Sequence, residues 1–267
     1  MKKTTLTLLA ATGLITFNAQ AQTSDFVELV PAPYLQKDLT ATAGLGVVSL
    51  PRYEDGSEQE TKAFPLLDME WKSGVFFSTI SGFGFNISQN PKWQYGVRLG
   101  VLANQEQSAR NNSSGPGNAT TDLAPGLFGN YLIDPHYAIL SSFQTGAGNE
   151  RNREGLLASI GGRYIDRLNA TNRIYGELST SWANARYMQD YYGVTPVQSV
   201  EYNFPVYDTR AGMLKIKLLM GWDYTIDKQW SVLTGGTLTH PLGDAGTSPL
   251  SSDKTQVIAY TALYYKF

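Results

Sequence analysis

The residues of this chain that could support catalysis are its two histidines and the serines near one of them. A hydrolase acting on membrane lipids needs a serine nucleophile within hydrogen-bond reach of a histidine base. His240 lies at the predicted end of a strand, close in sequence to Ser248, whereas His136 lies in a predicted short turn. Neither histidine belongs to a serine-containing motif. An enzyme that modifies lipid A or phospholipid is therefore the least favoured class of function for this sequence. No catalytic residue is predicted.

Charged residues alternate with apolar residues in several segments of the chain. Successive side chains of a strand point to opposite faces, and a basic residue on the lipid face of a membrane strand costs ~2–4 kcal/mol at the midplane. We therefore expect a network of salt bridges inside a barrel, with a structural role. Its predicted members are Arg98, Arg163, Glu177, Lys215, Lys217 and Asp223. Bulky residues predicted on the same inner faces, including Phe128, Leu140, Leu157 and Tyr260, favour a narrow or plugged lumen over an open porin.

The remaining acidic residues do not form a metal-binding pattern. Asp122, Glu150, Asp190 and Glu201 are scattered, the chain has no cysteine, and its histidines number two. We therefore predict no metal centre and no cofactor. The net charge is −2, so a nucleic-acid partner is not expected.

The strand that organises the rest of the chain is residues 255–267, TQVIAYTALYYKF. Its odd-numbered residues share one face and its even-numbered residues the other, which is typical of a strand between two different environments. An open strand edge in lipid would leave its backbone groups unsatisfied, so we expect this strand to pair with the first and close a barrel. Its outward residues Leu263, Tyr265 and Phe267 are the predicted signal for the barrel-assembly machinery.

Long and short connections alternate along the chain, as they do in outer-membrane barrels. Aromatic residues at strand ends are expected to form a girdle at one membrane interface: Trp93, Tyr131, Tyr137, Tyr164, Tyr175, Trp222, Tyr224, Trp230 and Tyr265. The predicted fold is all-β, an antiparallel up-and-down transmembrane β-barrel. Residues 74–88 form either one strand or two strands kinked at Gly82 and Gly84. An even strand number requires residues 41–88 to supply either two or four strands. Four, with residues 74–88 divided at these glycines, gives twelve strands in all, which we prefer, and two gives ten.

The first 21 residues have the features of a secretory signal peptide. A positive start at Lys2 and Lys3 precedes a mostly apolar segment and the small-residue site Ala19-Gln20-Ala21. We predict a signal peptide at 1–21, a periplasmic lead-in segment at 22–40 and the barrel at 41–267. The expected location is the outer membrane of a Gram-negative envelope, with outer-membrane lipid and lipopolysaccharide as neighbours.

Motifs spread over nearly the whole chain support this interpretation. They include Gly44-Leu45-Gly46-Val47, Phe64-Pro65, Trp182-Ala183, Leu242-Gly243-Asp244-Ala245 and, most specifically, the segment Tyr187-Met188-x-x-Tyr191-Tyr192-Gly193-Val194. In these motifs the chain resembles the MipA/OmpV family of outer-membrane proteins, also called MltA-interacting proteins. The resemblance implies a barrel without enzymatic activity. It also implies a scaffold that links a lytic transglycosylase to a bifunctional murein synthase.

Two further expectations concern the loops and the lumen. Tyr187, Met188, Tyr191, Tyr192 and Val194 lie in the largest predicted outer loop, where tyrosines could supply a recognition surface. The alternative for this segment is a loop folded into the barrel mouth for packing. The alternative to a scaffold is a porin-like channel for small solutes or antibiotics.

Overall fold

Alternating apolar and polar residues fold into strands that form the wall of a closed barrel. In the computed structural model, the described residues are 24–30, 35, 37–51, 59–103, 121–145, 155–251 and 255–267. Within these ranges the strands are β1 (Leu39–Pro51), β2 (Gln59–Trp71), β3 (Val75–Ser78), β4 (Gly82–Asn86), β5 (Trp93–Ala103), β6 (Thr121–Leu132), β7 (Tyr137–Thr145), β8 (Leu156–Arg167), β9 (Asn172–Ala183), β10 (Gly212–Thr225), β11 (Trp230–Pro241) and β12 (Gln256–Lys266).

Each strand pairs antiparallel with its sequence neighbours, and β1 pairs with β12 to close the barrel. In the closing pair, Leu45 lies opposite Leu263 and Val47 lies opposite Thr261. The prediction of a closed, twelve-stranded antiparallel barrel is therefore confirmed. Among the described residues, the connections after β2, β4, β6, β8 and β10 are short and lie at one end of the barrel, the short-turn rim, whereas the three-residue turn between β3 and β4 points the other way. The longer connections lie at the other end, the long-loop rim.

Residues 74–88, for which the sequence allowed one strand or two, contain two short strands, β3 and β4. Gly82 begins β4 with a φ of 86°, in the left-handed region that glycine tolerates best. The two strands contain four and five residues, whereas β2 and β5 beside them contain 13 and 11. The hairpin therefore covers only part of the wall's height, because a strand rises ~3.3 Å per residue.

The predicted inward and outward faces are correct along most of β10. Lys215 and Lys217 point into the barrel, whereas Ile216, Met220 and Trp222 are exposed on the outside. Leu214, which the alternation places outside, is instead buried at 3% exposure. The register shifts between Met213 and Lys215, and an extra residue in one strand turns the preceding side chain to the other face.

Aromatic residues near the short-turn rim form a belt of stacked pairs on the outer surface. Trp93 packs on Tyr131 with ring centroids 4.5 Å apart, and Tyr265 packs on Trp230 and Phe267 at 5.1 and 4.9 Å. Tyr175, predicted in this belt, faces inward, and its hydroxyl lies 2.9 Å from that of Tyr260. The outward residues of the predicted assembly signal, Leu263 and Phe267, are 46% and 64% exposed.

The long-loop rim carries helices that the sequence analysis assigned to irregular loops. They are α1 (Ala185–Tyr192), α2 (Pro196–Tyr202) and α3 (Gly243–Thr247). Asn184 caps α1 by accepting from the Tyr187 N–H, and Thr195 with Gln198 forms a capping box at α2. Among the described residues, none of these helices is long and apolar enough to span a membrane.

Candidate functional site

The barrel encloses residues 24–30 of its own chain, which we call the plug. The plug lies within the segment 22–40, which the sequence analysis assigned to a lead-in ahead of the barrel. Asp25, Phe26 and Val27 are 4%, 0% and 0% exposed, so these three residues are packed in the lumen. β1 begins at Leu39, at the short-turn rim.

The strongest charge contacts of the plug are those of Asp25 with two lysines of β10. Lys217 Nζ lies 2.6 Å from Asp25 Oδ2, and Lys215 Nζ lies 3.2 Å from Asp25 Oδ1. The carboxylate is 5% exposed, and both lysine side chains are mostly buried. Each carboxylate oxygen is thus matched by one ammonium group in a place that water reaches poorly, where removing one partner is costly.

A second ion pair joins the plug to β8. Arg163 Nη1 lies 2.5 Å from Glu28 Oε2. The Glu28 side chain is 47% exposed, so water competes for this pair far more than for the Asp25 contacts. The plug therefore has one buried and one accessible ionic attachment.

Wall side chains also bind the plug's main chain. Arg98 Nη1 donates to the Ser24 carbonyl over 2.8 Å, Asn130 Nδ2 to that of Val27 over 2.7 Å, and Gln94 Nε2 to that of Leu29 over 2.8 Å. At the far end of the plug, the Val30 N–H donates to Glu70 Oε2 over 3.0 Å. These contacts satisfy carbonyls that an extended buried segment would otherwise leave unpaired.

The apolar side chains of the plug occupy two small clusters on the inner wall. Phe26 packs with Ala138 and Leu140. Val27 packs with Phe76 and Phe128, whose rings meet edge-to-face at 5.8 Å. The plug is thus matched to the wall in shape as well as in charge.

All six residues of the predicted charge network lie on inner faces, but they do not form one network. Arg98, Arg163, Lys215 and Lys217 are bound to the plug, as described above. Asp223 lies near the short-turn rim, where it contacts Arg173 at 2.6 Å and accepts from the Tyr264 hydroxyl at 2.8 Å. Glu177 is opposite Arg163 across β8 and β9 and is 3% exposed. The anions that pair with Arg163, Lys215 and Lys217 come from the plug, whereas Arg98 donates to a main-chain carbonyl of the plug.

The predicted recognition segment is packed into the long-loop end of the barrel. Tyr187, Met188 and Val194 are 6%, 0% and 1% exposed, while Tyr191 and Tyr192 are partly buried. Tyr187 and Met188 form an apolar cluster with Ala124, Leu157, Ala183, Leu214 and Ala245. We call α1, α3 and this cluster the mouth. The burial of Tyr187, Met188 and Val194 matches the alternative of a loop folded into the mouth for packing, and the recognition role of the segment stays a prediction.

Among the described residues, no serine is a hydrogen-bond partner of either histidine. His136 Nδ1 lies 3.0 Å from the Ile165 carbonyl, and His240 Nδ1 lies 3.3 Å from Thr255 Oγ1. Ser248, the serine considered for His240, donates instead to the Tyr192 carbonyl over 2.6 Å. Within the ranges the structure describes, no three His, Cys, Asp or Glu side chains are grouped to hold a metal ion.

Three turns of the short-turn rim contain the same kind of side-chain-to-main-chain hydrogen bond. Asp134, Asn169 and Asp227 each accept hydrogen bonds from main-chain N–H groups two and three residues further on. At Asp227 the donors are the N–H groups of Trp230 and Gln229, and they lower the pKa of its carboxyl below its usual value. Such Asx turns fix the backbone, so this rim presents ordered polar groups.

Asp25 and Glu28 are the functional residues that the sequence reasoning missed. The predicted network contained four basic residues and two acidic residues. This imbalance indicates that further acidic residues, from elsewhere in the chain, lie inside the barrel. The segment Ser24-Asp25-Phe26-Val27-Glu28 supplies two carboxylates beside two large apolar residues. This combination is unusual for a solvated linker, although it does not by itself indicate a position inside the barrel.

A closed antiparallel barrel with an apolar outer face, an aromatic belt at one rim and a polar interior defines the class: a transmembrane β-barrel of the outer-membrane type. The family model of MltA-interacting protein MipA matches residues 43–267. This chain belongs to that family, which places it in the outer membrane.

Solved structures of outer-membrane barrels are similar in fold. A NanC porin is 10% identical with a TM-score of 0.47, covering 85% of this chain and 100% of that chain. A KdgM porin is 11% identical with a TM-score of 0.38, covering 86% and 99%. OmpT of Vibrio cholerae is 6% identical with a TM-score of 0.38, covering 91% and 100%. No curated protein matches the chain.

Proposed function

We propose that this protein is a non-enzymatic scaffold in the outer membrane that links a murein-degrading lytic transglycosylase to a murein synthase. The observation that carries the proposal is the plugged lumen. Because Asp25, Phe26 and Val27 are buried inside the barrel, the resting protein has its accessible polar surface at the rims. The family is named for interaction with MltA, which is consistent with a binding role for one of these rims.

The short-turn rim is the surface that we assign to the murein enzymes. Short turns face the periplasm in outer-membrane barrels, and murein lies on that side. The Asx turns at Asp134, Asn169 and Asp227 hold this rim in one conformation, which lowers the entropy lost on binding. Arg167, Arg173 and Lys266 line a cavity of about 50 Å³ there, beside Asn169.

Site-specific crosslinking tests the proposal. A photo-crosslinking residue is placed at Ala170 or Gln229 on the short-turn rim, and at Val200 of α2, 88% exposed on the opposite rim, as the matched control. In intact envelopes we expect the two rim positions to capture a lytic transglycosylase, identified by mass spectrometry and a murein zymogram. Capture of no murein enzyme from either rim position would refute the scaffold.

A porin-like channel is the competing function. The plug predicts that the wild-type barrel in planar bilayers stays closed for nearly all of the recording. Steady open currents from the wild-type protein would contradict the closed lumen and favour a channel. Crosslinking tests the scaffold and conductance tests the closed lumen, so either hypothesis can be refuted while the other stands.

A further inference from the structure

The barrel wall around residues 24–28 of the plug is basic once the charges of the plug itself are set aside. Arg98, Arg163, Lys215 and Lys217 approach residues 24–28, and Glu177 is the acidic wall residue among them. The acidic residues Asp68 and Glu70 of β2 lie nearer the short-turn rim, opposite Thr42 and Thr40 of β1. The wall around residues 24–28 therefore has a surplus of positive charge, which Asp25 and Glu28 offset in large part.

The contacts of the plug with the wall are separate from the main-chain hydrogen bonds that pair the strands. In the described part of the chain, one hydrogen bond joins the main chain of residues 24–30 to that of the wall, from the Ser24 N–H to the Ile80 carbonyl over 2.7 Å. The others involve side chains, and none belongs to a strand pairing in the described part of the barrel. Closure depends on the pairing of β1 with β12, and that pairing involves no residue of the plug.

Arg98 supplies a second observation that points to an anion. Its side chain is 3% exposed, and Nη1 donates to the Ser24 carbonyl. Its Nε and Nη2 are buried and have no hydrogen-bond partner among the described residues. A guanidinium binds a carboxylate best through two parallel N–H donors, and these two atoms are such a pair. The plug thus satisfies one donor of Arg98, and a carboxylate could satisfy two more.

We propose that the middle of the lumen is a binding site for small solutes with two carboxylate groups, that Asp25 and Glu28 occupy it in the closed barrel, and that departure of the plug opens an anion-selective passage. Lys215 and Lys217 bind one carboxylate of the solute, as they bind Asp25. Arg163 and Arg98 bind the other. The proposal goes beyond the scaffold function, since a barrel can bind murein enzymes at its rim with or without a passage through it.

Neutral isosteres of the plug's two acids provide the first test. The variant Asp25→Asn/Glu28→Gln keeps the shape of the plug but removes both charges. In planar bilayers we expect the open fraction of the recording to rise about 100-fold over wild type. In a KCl gradient the reversal potential should show chloride permeating better than potassium. Heat-modifiability on gels checks that each variant is a folded barrel.

Ligand specificity is measured on the same opened variant. Succinate is the probe, and succinamide, of the same size but uncharged, is the matched control. We expect succinate to reduce the chloride current in a concentration-dependent manner and succinamide to leave it unchanged. Adding Lys215→Met and Lys217→Met to the opened variant should weaken both the chloride preference and the succinate block, because Arg98 and Arg163 alone remain to bind a carboxylate.

A covalent lock shows whether current arises from departure of the plug. The chain has no native cysteine, so Phe26→Cys and Ala138→Cys can be introduced into the opened variant and bridged by a thiol crosslinker. Bridging should return the current to the wild-type level, and reduction of a cleavable bridge should restore it. The proposal is overturned if the folded charge-neutral variant stays closed, if its current prefers potassium, or if succinate and succinamide act alike.

Discussion

The plug and the mouth both fill the barrel, but the plug is attached largely by charged and polar side chains and the mouth by apolar ones. Asp25 is bound by two lysines from β10, whereas Met188 is buried among Ala124, Leu157 and other apolar groups. An apolar cluster gains stability from the area it removes from water and is insensitive to salt. A charged segment gains stability only while every partner is present. The two regions should therefore respond differently to substitution and to ionic strength.

The largest effect is expected at Asp25. Asp25→Ala leaves Lys215 and Lys217 in a poorly hydrated site without their anion, which should destabilise the docked plug by about 3–5 kcal/mol. The measurement is the rate of thiol labelling at Val27→Cys, the single cysteine of the reporter protein. Asp38→Ala, an exposed acid just before β1, is the control and should leave the labelling rate unchanged. Equal rates in the two variants would contradict a plug held by charge.

A smaller effect is expected in the mouth. Met188→Ala creates a cavity at a side chain with 0% exposure and should destabilise the packing of α1 by about 2–5 kcal/mol. Limited proteolysis of residues 184–211 measures this loosening, and it should be the same at low and high salt. Val200→Ala on exposed α2 is the control. Val27→Cys labelling should not change in Met188→Ala, and a large rise would mean that the two regions are coupled.

The smallest effect is expected at Glu28. Because its side chain is 47% exposed, Glu28→Gln should weaken plug docking by less than about 1 kcal/mol, and the loss should disappear at high salt. Thiol labelling of Val27→Cys at low and at molar KCl provides the measurement. Glu201→Gln, an exposed acid of α2, is the matched control. A loss as large as that of Asp25→Ala would mean that this pair is shielded from water.

Alternation along single strands was enough to predict most of the barrel. The inward charges of β10 and the pairing of the last strand with β1 follow from which side chains tolerate lipid. The inversion of Leu214 could not be predicted, since a register shift depends on the partner strand β9 and not on the residues of β10 alone. The prediction that Tyr175 lies in the outer aromatic belt was wrong. Alternation places Tyr175 on the same face of β9 as Glu177, which is the inner face.

The predictions for the site failed where they required knowledge of distant contacts. The four basic residues were correctly placed inside the barrel, yet their partners lie far away in sequence, 190 and 192 residues for the two lysines. The helices of the long-loop rim were missed for a different reason. Asn184, and Thr195 with Pro196 and Gln198, are recognisable helix starts, but the tyrosine-rich composition was interpreted as an irregular loop.

The separation between the plug and β10 has a consequence for biogenesis. Asp25 precedes the first strand, and the two lysines lie on the tenth, so the chain must be almost complete before this ion pair can form. Contacts that close such a large loop form late, after nearer pairings have reduced the freedom of the chain. Insertion of the amino-terminal residues would then be one of the final events in the maturation of the molecule.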